Sequence, residues 1–246
     1  MSQARGIMRL LAIGAHPDDV DILCGGTLAL YAAAGHHVSI AIATSGNAGS
    51  ATLTAEEIGT VRRREAEASC RVIGADLIWL GFDDEWLFND RETRSAFIDA
   101  YRLARPDYVI THHPDDYHPD HRVTADVAED ARIPSAVRLV KTTLPALEDI
   151  PRLYRMDTVG GVGFEPEIFV DISETMPTKM AMVRAHASQR GWVEQTLGMN
   201  LEEFMRGQNA LRGQQAGCEL AEAFRAVATY PPARPDLPPL GASVQS

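Results

Sequence analysis

The chain is poor in cysteine, has no long apolar run and carries too little positive charge to balance its acid. Cys24, Cys70 and Cys218 lie far apart with no Cys-x-x-Cys pair, which excludes a disulfide framework and suggests reduced, buried thiols in a cytosolic protein. Nowhere are there eighteen consecutive apolar residues, and the N-terminus has no apolar segment followed by a cleavage site. A soluble, cytoplasmic protein without a transmembrane segment is the expectation. Lysine and arginine number 23 against 34 acidic residues, a formal net charge of −11. That balance argues against nucleic acid or an anionic membrane surface as partner. The first strand-to-helix turn lacks Gly-x-Gly-x-x-Gly, and no Gly-Lys-Ser/Thr occurs anywhere, so a nucleotide-binding module fails at its first requirement.

What is present is an ordinary globular composition, 45% hydrophobic and 23% charged over 246 residues, enough for a substantial core. Leu10 to Ile13, stopped by Gly14, reads as a buried parallel strand. A helix over 22–34 follows, ending at Gly35, with Gly25-Gly26 marking a place where something packs close to the backbone. Strands over 38–44, 77–82 and 108–111 alternate with helices over 54–73 and 93–104, the first opened by the capping box Thr54-x-x-Glu57. The alternation predicts an α/β fold: a Rossmann-like, mostly parallel sheet with helices on both faces, in one domain over 1–229. The second half reads less regularly: helix over 123–131, short strands over 137–141 and 153–156, and an edge strand over 168–172. Helices are expected over 175–187 and 201–208, and one over 219–227. From Tyr230 onward five prolines without apolar periodicity predict an extended or disordered tail.

Two clusters carry the chemistry. His16, Asp18 and Asp19 fall at the carboxyl end of the first strand, where ligands bind in open α/β sheets. His118-Pro119-Asp120-His121 follows the fourth strand and opens a helix in the same manner, with His112 and His113 just before it. A lone Asp-Asp pair at a helix start reads as caps, and a lone histidine as a satisfied core group; two clusters at neighbouring strand ends point to a metal site. His16, Asp19 and His121 offer two imidazoles and a carboxylate, a set suited to zinc with one position open for water. Asp18, beside Asp19 but pointing elsewhere, is placed as a general base, and His118 as an acid or oxyanion partner.

Ala15-His16-Pro17-Asp18-Asp19 with His118-Pro119-Asp120-His121 resembles the LmbE-like (PIG-L) family of zinc-dependent N-deacetylases, enzymes that remove acetyl from N-acetylglucosamine units. Thr44-Ser45-Gly46, Arg64-Glu65 and His186-Ala187-Ser188-Gln189 extend the resemblance over about 9–225. It implies zinc, or another divalent transition metal, on His16, Asp19 and His121. It also implies Asp18 as base, His118 as acid or oxyanion partner, and Asp120 tuning His118. The expected partner is a small N-acylated molecule, an amino sugar or its conjugate, and related proteins often form trimers or hexamers. Many family members have glutamate where this chain has Val20. Arg64 is favoured over Arg62 and Arg63 for substrate contact, Asp84 for sugar hydroxyls, and His186 for an approach from the second half; Trp86 can stack on a sugar or anchor in the core. Two alternatives stay open: an amidase for a larger acyl or thiol conjugate, and a metal-binding protein without catalysis.

Overall fold

The apolar run at Leu10–Ile13 is covered on both sides. In the computed structural model, which describes residues 7–229, it lies in β1 (Arg9–Gly14), with Leu10 and Ala12 in one hydrophobic cluster and Leu11 and Ile13 in another. A strand buried on both faces needs apolar residues at every position, hence the unbroken run. The chain continues through α1 (Asp19–Ala33), β2 (His37–Thr44), α2 (Ala55–Ile73), β3 (Asp76–Phe82), α3 (Arg91–Ala104), β4 (Tyr108–Thr111) and α4 (Pro119–Ser135). Then come β5 (Arg152–Met156), β6 (Ile168–Asp171), α5 (Met176–Ala185), α6 (Ala187–Leu197), α7 (Leu201–Ala216) and β7 (Ala221–Ala226).

The strands form one sheet in the order β3-β2-β1-β4-β5-β7-β6. β1 to β5 are parallel; β7 runs antiparallel to β5 and β6. Leu23, Leu28, Cys70 and Met182 cover one face from α1, α2 and α5, and Phe97, Tyr101 and Val127 cover the other from α3 and α4. This is the expected Rossmann-like α/β architecture. Strand order reverses between β1 and β4, and the crevice at such a switch point is where this kind of sheet places its ligand.

Local chemistry accounts for the element ends. Thr54 and Glu57 form the reciprocal capping box, and Gly74 closes α2 at φ 69°. Gly26 explains the paired glycines: a Cβ there would stand 2.8 Å from the Ile172 side chain. The backbone N–H groups of Gly26 and Thr27 donate to the Glu222 carboxylate, which also accepts from Lys179 at 2.7 Å. Val20 is buried and packs toward Gly14, so it belongs to the core beneath the site.

Three expectations need correction. Residues 137–141 form turns, because the buried Arg102 guanidinium gathers the carbonyls of Pro134, Ser135, Val137, Val140 and Leu144 into a compact loop. Residues 221–226 are strand, not helix: β7 inserts between β5 and β6 and satisfies both edges. The helix expected over 175–187 ends at Ala185, and α6 begins anew at Ala187. The tail from Tyr230 lies outside the described residues. Among those described, no helix is long and apolar enough to cross a membrane.

Candidate functional site

β1 and β4 pair directly, so the two histidine clusters that follow them meet above the sheet. Pro17 and the short Gly14–Asp18 turn bring His16 over the strand end, and Pro119 starts α4 with His118 at its N-cap. His16 Nδ1 lies 3.2 Å from His121 Nε2. Asp19 spans both rings, with Oδ2 3.2 Å from His16 Nδ1 and Oδ1 3.2 Å from His121 Nε2. Zinc bonds of about 2.0–2.1 Å arranged tetrahedrally put neighbouring donor atoms about 3.3–3.4 Å apart. The three side chains therefore have the chemistry and the spacing to hold a divalent metal.

The outer ring nitrogens are also set for it. His16 Nε2 contacts Asp84 Oδ1 at 2.9 Å, and His121 Nδ1 contacts Asp116 Oδ1 at 3.0 Å. Carboxylates on the far side of two imidazoles fix their orientation and leave the inner nitrogens free to ligate. Burial alone would lower the His16 pKa, but Asp19, with help from Asp120 and Asp84, holds it well above its ordinary value. Burial likewise opposes the charge on His121, and Asp19 and Asp116 win, raising it to about 9. Asp19 is desolvated too, yet His121 and His16 keep its carboxyl well below the usual range. His112, fully buried and stacked on His121 at 4.1 Å, is pushed down to about 4 by burial and by the His121 charge. Its Nε2 accepts the Ala15 amide N–H at 3.0 Å and stands 3.1 Å from Asp19 Oδ2.

Asp18 is the N-cap of α1 but makes no side-chain capping bond. Its Oδ1 accepts from Arg62 Nη2 at 2.8 Å, and Arg62 Nη1 donates to the Gly46 carbonyl at 3.1 Å. Gly46, at φ 63°, lies so close under the guanidinium that a Cβ would collide with it. His118 Nδ1 accepts the Asp120 amide N–H at 3.2 Å, and its Nε2 faces Glu85 Oε1 at 3.3 Å.

These groups line a cavity of about 340 Å³. His16, Asp18, Asp19, Asp84, His118 and His121 stand on it; so do Arg62 and Glu85. Apolar groups of the C-terminal half line it too, Trp192, Val193, Met199 and Phe204 among them.

Several expected residues sit elsewhere. Arg64 is exposed on α2 and does not line the cavity; Arg62 does. The signal for Arg62 lay in periodicity, since Ile58, Arg62, Ala66 and Ser69 share the buried stripe of α2 and Arg63 and Arg64 fall off it. His186 does not reach the cavity either: fully buried, its Nε2 meets Asp21 Oδ2 at 2.7 Å. Asp84 lines the cavity but is engaged with His16. The Asp120 carboxylate does not touch His118; its Oδ2 accepts the Glu85 amide N–H at 2.8 Å and lies 3.7 Å from His16 Nε2. Trp86 is 69% exposed, not a core anchor. Asp116 went unnoticed because only the fold brings its carboxylate to His121.

The profile of the PIG-L family, described as GlcNAc-PI de-N-acetylase, matches residues 11–132, which include both histidine clusters. A 1D-myo-inositol 2-acetamido-2-deoxy-alpha-D-glucopyranoside deacetylase of Saccharopolyspora erythraea is 31% identical, over 76% of this chain and 80% of its own. A 4-oxalmesaconate hydratase of Pseudomonas putida is 26% identical over 73% of each. In three dimensions the chain is similar to the N,N'-diacetylchitobiose deacetylase of Pyrococcus horikoshii, with TM-score 0.79 and 27% identity over 90% of this chain and 84% of that one. With both histidine motifs inside the matched segment and similarity running well beyond it, the chain belongs to the PIG-L family.

Proposed function

We propose that this chain is a zinc-dependent hydrolase that removes the acetyl group from an N-acetylated amino sugar or its conjugate. The observation that carries the reading is the donor triangle of His16, Asp19 and His121, with Asp18 and His118 on the same cavity. The deacetylases among its relatives, which act on 2-acetamido sugars by name, support it. Free Cys24 and Cys70, both buried, suit the reducing cytoplasm as its place of action.

Zinc on these three ligands supplies Lewis acidity and lowers the pKa of water to about 7. Asp18 is the general base. Its Oδ1 is held by Arg62, which leaves the other oxygen to take a proton from the attacking water. The water oxygen bonds to the amide carbonyl carbon, and the carbonyl oxygen gathers negative charge. Because His118 Nδ1 accepts a backbone N–H, the neutral ring carries its proton on Nε2, beside Glu85 Oε1 on the cavity wall, and turns it from that carboxylate to the substrate oxygen. Collapse breaks the C–N bond, the amine nitrogen takes up the proton that left the water, and acetate and a free amino sugar depart. Incubation of zinc-loaded protein with N-acetylglucosamine conjugates tests this reading. Acetate and primary amine should appear in equal amounts; neither appearing with any conjugate would overturn it.

A further inference from the structure

The cavity has no spare positive side chain. Among the described residues that line it, Arg62 is the one arginine or lysine, and it is 2% exposed. Its guanidinium is committed to Asp18 Oδ1 at 2.8 Å and the Gly46 carbonyl at 3.1 Å, with Asp84 Oδ2 4.0 Å away. Arg190 lines a neighbouring cleft beyond Met199 and Leu201, where it faces Glu202 at 3.7 Å.

Glu85 adds negative charge instead. Among the described residues it is one of two non-glycine residues with positive φ, at 68°, in a conformation that favours glycine. Asp120 holds it there by accepting its N–H, and its carboxylate stands half-exposed on the cavity wall. Strain retained at a site is a reason to look for use of the side chain that causes it. Trp192, Val193 and Phe204 line the same cavity and give it apolar surface.

We propose that this cavity selects an uncharged N-acetylated sugar bearing an apolar substituent, and rejects sugars bearing a carboxylate or phosphate. The inference rests on the deacetylase reading and names the substrate class within it. An anion entering here loses water and meets carboxylates, with no free guanidinium or ammonium to pair with; like-charge juxtaposition of this kind is how sites reject wrong partners. An aromatic or alkyl substituent gains contact with the Trp192 and Phe204 rings. A carboxylate such as 4-oxalmesaconate, which names the Pseudomonas putida relative, meets the same lack of counter-charge.

The test compares kcat/KM of the zinc-loaded full chain on N-acetylglucosamine, its phenyl β-glycoside and its 6-phosphate. Gains and losses of about tenfold are expected, the phenyl glycoside above the parent sugar and the 6-phosphate below it. Glu85→Lys should raise the 6-phosphate relative to the parent by about tenfold, and Trp192→Ala should remove most of the phenyl advantage. Binding of the same three ligands to zinc-loaded Asp18→Asn protein, read by calorimetry, gives the ranking without turnover. A 6-phosphate that matches or exceeds the parent, or ratios unmoved by both substitutions, would overturn the selection. The predicted binding order without turnover of any sugar by the wild type would sink the deacetylase reading and leave the selection standing.

Discussion

Arg62 and Asp18 form the contact that gives two adjacent aspartates different partners. Arg62 Nη2 donates to Asp18 Oδ1 at 2.8 Å, while Asp19 turns to His16 and His121. Without that clamp the Asp18 carboxylate can swing, and misplacement of a reacting group by about 1 Å costs on the order of 10²-fold in rate. Arg62→Ala is therefore expected to lower kcat by about that factor. Arg62→Lys keeps the charge but loses the planar fork, and should fall in between. Steady-state kinetics at matched zinc content decide; an Arg62→Ala rate within twofold of wild type would contradict the role.

The outer carboxylates can be tested on metal alone. Asp116→Asn and Asp84→Asn each remove a charge that orients a candidate ligand histidine. Changes of this type lower metal affinity by about 10–100-fold. Competition against a chromogenic chelator measures it, and unchanged affinity in both variants would remove these carboxylates from the metal site.

Beneath the site, Lys179 and Glu222 form an ion pair with both side chains 0% exposed. Glu222 also receives Gly26, Thr27 and their helix, so the pair joins α1, α5 and β7. Lys179→Met leaves a buried, uncompensated carboxylate and should destabilise the protein by about 3–5 kcal/mol. Lys179→Met with Glu222→Gln should lose less than the two single changes summed. Urea unfolding monitors both.

Gly46 answers to geometry in two ways, through its φ of 63° and through the guanidinium above it. Gly46→Ala is expected to cost about 2 kcal/mol or more and to lower activity along with it, since Arg62 must move. A variant with wild-type melting temperature and rate would show that the contact is slack.

The sheet was legible where physics is local. β1 announced itself because a strand covered on both faces is apolar throughout, and α2 because Thr54, Glu57 and Gly74 cap it. The histidine motifs were legible because proline and strand ends fix where His16 and His121 must point. What escaped depended on distant partners. Residues 137–141 look like a strand until Arg102 arrives from α3 to collect their carbonyls. β7 looks like a helix until β5 and β6 supply its two edges. Arg62 could have been separated from Arg64 by helical periodicity, whereas the bond from Glu85 to Asp120 has no sequence signature.

The most direct measurement is acetate release by wild type and Asp18→Asn, with zinc content determined on the same preparations. Asp18 touches neither His16, Asp19 nor His121 in the bonds it makes, so the substitution should leave zinc bound. Loss of a positioned general base costs about 10²–10⁴-fold, and a drop of that size at full zinc occupancy is the predicted result. An Asp18→Asn protein that binds zinc and releases acetate at the wild-type rate would contradict the account at its centre.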